Sequence, residues 1–140
     1  MDTGNYGFGA SFNAPYEEVM ARVKDALKAE GFGVLTEIDV QQTMRAKLQV
    51  EMPAYTILGA CNPPLAHRAL TTEPNIGLML PCNVVLRAEG AGVRVEIADP
   101  VAMLAIAHKP ELTDVAQEAR QRLERVLAAL VSAEQAATAG

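Results

Sequence analysis

The sequence predicts an α+β domain of strand-helix-four-strand-helix order, an antiparallel sheet with two long helices packed on one face. Three observations carry this. Bulky residues alternate at Tyr6, Phe8 and Phe12 with the period of a strand. Apolar residues recur at helical spacing in two long stretches, Tyr16 to Leu27 and Leu112 to Leu130. Between them lie short apolar runs punctuated by Gly, Pro, Asn and Asp, and no internal repeat interrupts the order. Strands gathered between two helices favour one sheet with its apolar face covered by both helices.

Each element has its own signals. Strand one covers about Asn5 to Phe12. Asn13 stands as an N-cap for a first helix from Ala14 to Glu30, whose inward stripe is Tyr16, Val19, Met20, Val23 and Leu27. Gly31 suits the left-handed residue after that helix. A strand from Phe32 to Val40 follows, with Phe32, Val34, Ile38 and Val40 on one face and Leu35, Glu37 and Asp39 on the other. Gln41 to Leu48 makes a short helix, closed by Pro53. Tyr55 to Cys61 is the next strand, and Asn62-Pro63-Pro64 starts a short helix reaching Leu70. Ile76 to Leu86 is apolar on both faces and reads as a central strand kinked at Pro81. Glu89 to Gly92 turns it into a hairpin with Val93 to Ile97, which Asp99-Pro100 ends with a turn. In the last helix Leu112, Val115, Ala116, Ala119, Leu123, Val126, Leu127 and Leu130 follow the i, i+3, i+4, i+7 rule, opposite a solvated face of Glu118, Arg122 and Arg125.

Composition bounds the function. At 140 residues there is room for one domain, read as residues 1–131 followed by a flexible tail at 132–140. Hydrophobic residues make up 50%, but 24 of them are alanine, so the core is small and aliphatic. A chain of this size buries enough surface to fold without disulfides or a metal. The net charge of −5 gives no footprint for nucleic acid. No apolar run approaches the ~20 residues of a membrane span, and the start carries no secretory signal, so the expectation is a cytoplasmic protein without a membrane partner. A reducing compartment keeps both cysteines as thiols.

Five segments in order carry a family resemblance: Gly31-Phe32-Gly33-Val34, Glu37-Ile38-Asp39-Val40, Gly59-Ala60-Cys61-Asn62-Pro63, Leu80-Pro81-Cys82-Asn83-Val84-Val85 and Asp99-Pro100. From about Tyr6 to Leu130 the chain resembles the domain of unknown function 302 family. The resemblance implies a small prokaryotic domain of TBP-like architecture with no established activity. Gln49 stands where glycine is common in that family. A TBP-like fold by itself says nothing about DNA.

The residues with chemical potential cluster at element boundaries. Cys61 ends a strand directly before the cap Asn62, where free helix amides can lower a thiol pKa and make it a nucleophile. Cys82 follows Pro81 and would face Cys61 if their strands were neighbours. Glu37 and Asp39 share a strand face at i,i+2, a spacing that divides acid and base roles or holds a cation, although Asp39 also suits a cap for the following segment. For a metal, Cys61, Cys82 and His67, with Met103 and His108 nearby, would suit Cu(I), zinc or haem iron, but the spacings fit no zinc signature. Gly7, Gly9, Gly33 and Gly59 leave room on strands for a close approach. There is no phosphate-binding glycine loop, no nucleophile elbow and no basic patch with aromatics. Three functions remain: a non-catalytic ligand- or metal-binding module with a site built from Cys61, Asn62, Cys82, Glu37 and Asp39; a thiol-dependent enzyme or redox protein using Cys61; and a structural homodimer pairing exposed sheet faces. The first is preferred, in a protein expected to be a homodimer.

Overall fold

The computed structural model describes residues 4–139. The strands are β1 (Gly7–Phe12), β2 (Gly33–Asp39), β3 (Tyr55–Cys61), β4 (Cys82–Glu89) and β5 (Gly92–Ala98). The helices are α1 (Tyr16–Ala29), α2 (Val40–Leu48), α3 (Pro63–Thr72), α4 (Pro100–Ala105) and α5 (Thr113–Ala139), with 3-10 turns at Pro74–Met79 and Pro110–Leu112. The sheet is antiparallel throughout, in the order β1-β5-β4-β3-β2. The α+β class, the single five-stranded sheet and the two long helices on one face agree with the sequence reading.

The core lies between that face and the helices α1 and α5. Alternation delivers Phe8 and Phe12, Leu58 and Ala60, Val84 and Leu86, and Val93, Val95 and Ile97 inward, against Val19, Val23 and Leu27 of α1 and Leu123, Val126 and Leu127 of α5. A second cluster, Leu65, Ala69, Ile76, Leu104, Leu112, Val115, Ala116 and Ala119, joins the first half of α5 to α3 and α4 at one end of the sheet. It is this second cluster that surrounds the candidate site.

Several boundaries differ from expectation for identifiable reasons. Ile76–Met79 is not strand: Glu73 accepts the Asn75 N–H and Pro74 opens a 3-10 turn, so β4 begins only at Cys82. Asn13 does not cap α1. Pro15 occupies that position with no side-chain cap, and the Asn13 N–H donates instead to Glu134 of α5. Residues 132–139, which the sequence reading places in a tail, continue α5 as helix, and Gly140 lies outside the described residues. Ala, Glu and Gln dominate there, and Glu134 is held by Asn13 and Arg22 at the start of α1. In β2 a bulge lies between Val34 and Thr36, so Val34 pairs with Ala60 while Ile38 pairs with Ile57 on the opposite face. The extra residue reverses the alternation expected for Glu37 and Asp39, which pair with Leu58 and Thr56. Gln49, the C-cap of α2, has φ 55°, the left-handed conformation that glycine adopts without strain.

Candidate functional site

Where the sheet ends at Cys61 and Cys82, α3, the Pro74–Met79 turn, α4 and α5 close around a cavity of about 280 Å³. Each wall has a local cause. Asn62 accepts from the Leu65 N–H at 3.2 Å and donates to the Glu30 carbonyl at 3.4 Å, which fixes the start of α3 against the end of α1. Gly31, at φ +83°, lets the chain turn there, since a Cβ would stand 2.9 Å from the Asn62 amide nitrogen. Asp99 caps α4 through the Val101 N–H and pairs with Arg120 of α5, holding Pro100, Met103 and Leu104 against the opening. Leu35, the residue of β2 without a ladder partner and 67% exposed, forms part of the rim with Leu70.

Three of the five candidate ligand-binding residues border this cavity: Cys61, Asn62 and Cys82. Glu37 and Asp39 do not. Glu37 pairs with Lys24 of α1 at 2.8 Å, and Asp39 caps α2 by accepting from the Gln42 N–H at 2.9 Å. His67 lies on the exposed side of α3, and His108 sits in the loop after α4 with φ 53°. Among the described residues no three His, Cys, Asp or Glu side chains cluster as a metal site. Of the strand glycines, Gly9 lies under Glu96 and Gly59 under Thr36 and Pro81, which leaves no vacancy for a ligand there, whereas Gly33 faces open space.

Cys82 pairs across the ladder with Ala60, so Cys61, one residue on, belongs to the alternate face. The register therefore does not set the two sulfurs face to face, although both residues border the cavity. Burial raises both thiol pKa values, and Cys82, which also feels Cys61, is pushed up to about 11. This is the reverse of the lowering expected beside a helix N-terminus. The dominant cause is burial, which penalises a thiolate.

The sequence reading does not find most of the walls: it places Met79 and Leu80 in an extended strand and Leu70 at the end of a short helix, and singles out neither Leu65 nor Leu104. The usable signal is Glu73-Pro74, a helix-start pair directly before what otherwise reads as strand. Sulfur is concentrated at the site, since both cysteines and two of the six methionines, Met79 and Met103, border it. Among the described residues no ionisable side chain other than the two thiols does so. Among the described residues no helix is long and apolar enough to cross a membrane.

The family model described as "Domain of unknown function DUF302" matches residues 9–130. A protein of Aquifex aeolicus (strain VF5), named only as an uncharacterized protein, is 32% identical over 82 residues, covering 58% of this chain and 51% of that one. The match thus spans about half the length of that curated relative. The crystal structure of an uncharacterized conserved DUF302 protein from Bacillus stearothermophilus is similar with a TM-score of 0.84 and 26% identity, covering 91% of this chain and 99% of that chain.

Proposed function

The chain belongs to the family of the domain of unknown function DUF302, and from that membership, which carries no activity, we propose that it is a non-catalytic module binding a small apolar molecule between Cys61 and Cys82. One observation supports this above the others: an open cavity of about 280 Å³ with carbon and sulfur walls and a single amide, Asn62, already committed to Leu65 and Glu30. Ligand pockets are concave and mostly apolar, and an empty apolar cavity of about 150 Å³ is enough for benzene. The metal alternative draws less support, because two thiols of raised pKa on alternate strand faces offer few deprotonated ligands. The thiol-enzyme alternative is weakened by the same thiols and by the absence of a base in the cavity wall.

Thermal unfolding with 1-octanol tests the reading. At concentrations well above Kd a ligand of the native state raises Tm by several degrees. The wild-type chain should show that shift, and Ala66→Trp, which fills the cavity from α3, should abolish it. An unshifted wild-type Tm at saturating octanol refutes the proposal.

Self-association is a second reading, favoured by the open face of the sheet. Ile38, Ile57 and Val85 stand in one row across β2, β3 and β4, and Ile38 is 47% exposed. The same face carries the pairs Arg87–Glu89 and Arg94–Glu96, charges that balance and allow a copy to stack without net repulsion. Sedimentation equilibrium should then give a dimer that Val85→Glu dissociates; a wild-type monomer at working concentration refutes it.

A further inference from the structure

We propose that the molecule taken by this cavity is an uncharged aromatic of two fused rings. The inference rests on the apolar-ligand reading and narrows it by charge, size and polarisability.

Charge follows from what borders the cavity. Among the described residues no Lys, Arg, His, Asp or Glu does so, both thiols are biased to the neutral form by burial, and Asn62 has both ends of its amide engaged. A carboxylate or ammonium inside would be desolvated with nothing to pair it. Size follows from volume. About 280 Å³ is close to twice the cavity of roughly 150 Å³ that accepts one benzene ring, which matches two fused rings.

Polarisability separates an aromatic from a saturated ligand of the same size. Cys61, Cys82, Met79 and Met103, four sulfur-bearing residues, border one small cavity, and Phe32 adds an aromatic wall. Sulfur makes favourable contacts with ring edges that it does not make with saturated carbon, and the methionine side chains adapt to a flat guest. A leucine-lined cavity of the same volume would show no such preference.

Calorimetric titration of the purified chain at pH 7 with 2-naphthol, 2-decalol and 2-naphthoate tests this. The naphthol should bind about tenfold tighter than either of the others. In Met79→Leu/Met103→Leu, a volume-conserving change, naphthol and decalol should come within about threefold of each other. Decalol or naphthoate binding as tightly as naphthol overturns the proposal, while a persisting octanol shift would leave the apolar-ligand reading standing. Failure of all three overturns the proposal, and together with no octanol shift it overturns the apolar-ligand reading as well. If the double variant does not fold, the wild-type comparison alone decides; if it folds and keeps the full preference for naphthol, the sulfur argument is overturned.

Discussion

Cys82 stands directly opposite Ala60 across the β3–β4 ladder, which places its thiol on the buried face and holds its pKa at about 11 against an ordinary 9.0. Its neutral form is favoured by folding. The stability this contributes is full below the unfolded-state pKa near 9 and is lost as pH rises toward 11. Two pH units correspond to about 2–3 kcal/mol. Chemical denaturation of wild type and Cys82→Ala across pH 8 to 11 should show a loss larger in wild type by about that amount, on top of the smaller loss that the raised Cys61 and Tyr16 contribute in both. Thiol labelling should likewise find Cys82 far slower than Cys61 at pH 8, with both fast in denaturant.

Asp99 is buried, caps α4 through Val101 and receives Arg120 at 2.6 Å, so one carboxylate ties α4 to α5. Asp99→Asn keeps an acceptor for the cap and loses the ion pair, a cost of about 1 kcal/mol. Asp99→Ala loses both and should cost about 2–4 kcal/mol. Arg120 also lies 5.9 Å from the Phe8 ring centroid, so Arg120→Ala should cost more than the ion pair alone. Urea unfolding of the three variants gives the order; equal losses for Asn and Ala would show that the cap contributes nothing.

The elements legible in the sequence are those fixed by local periodicity. The stripe Leu112 to Leu130, the strand Tyr55 to Cys61 and the cap at Asn62 appear where the pattern puts them. What escaped depends on events that pattern does not encode. A single bulge after Val34 reverses which side of β2 faces the helices, and nothing in Gly33-Val34-Leu35-Thr36 announces it. The run Ile76 to Leu80 is apolar because it walls a cavity rather than because it sits in a sheet, and both uses require the same residues. Cys61, Asn62 and Cys82 were identified from their boundary positions. Their environment was not, because desolvation comes from α3, α4 and α5, which are distant in sequence.

Glu134 joins the last turns of α5 to the start of α1 by accepting from the Asn13 N–H and pairing with Arg22 at 3.6 Å. Its side chain is only 17% exposed, well below that of an ordinary surface carboxylate. Glu134→Ala should therefore cost about 1–2 kcal/mol, more than the ~0.5 kcal/mol of a surface pair. A chain ending at Val131 should lose at least as much, because the same contact goes with it. Denaturant midpoints of both variants measure this, and a truncated chain as stable as wild type would show that residues 132–139 hold nothing in place.

The cavity predicts substitutions of opposite sign on its two sides. Leu104 of α4 is 6% exposed, and Leu104→Ala enlarges a space that is already empty. The surroundings gain little by collapsing, so the cost should be about 3–5 kcal/mol, the upper part of the range for buried leucine. Ala66 of α3 borders the same space half-buried, and leucine is nearly as good a helix former as alanine. Ala66→Leu therefore adds apolar surface to a void without straining the helix, and should stabilise by about 0.5–1 kcal/mol. The gain comes at the expense of binding, since the new methyl groups occupy ligand volume. Tm without ligand should rise by a few degrees, and the octanol-induced shift should shrink. A stabilised variant that still binds octanol like wild type would place the ligand elsewhere, because no space bordered by Ala66 would then be in use.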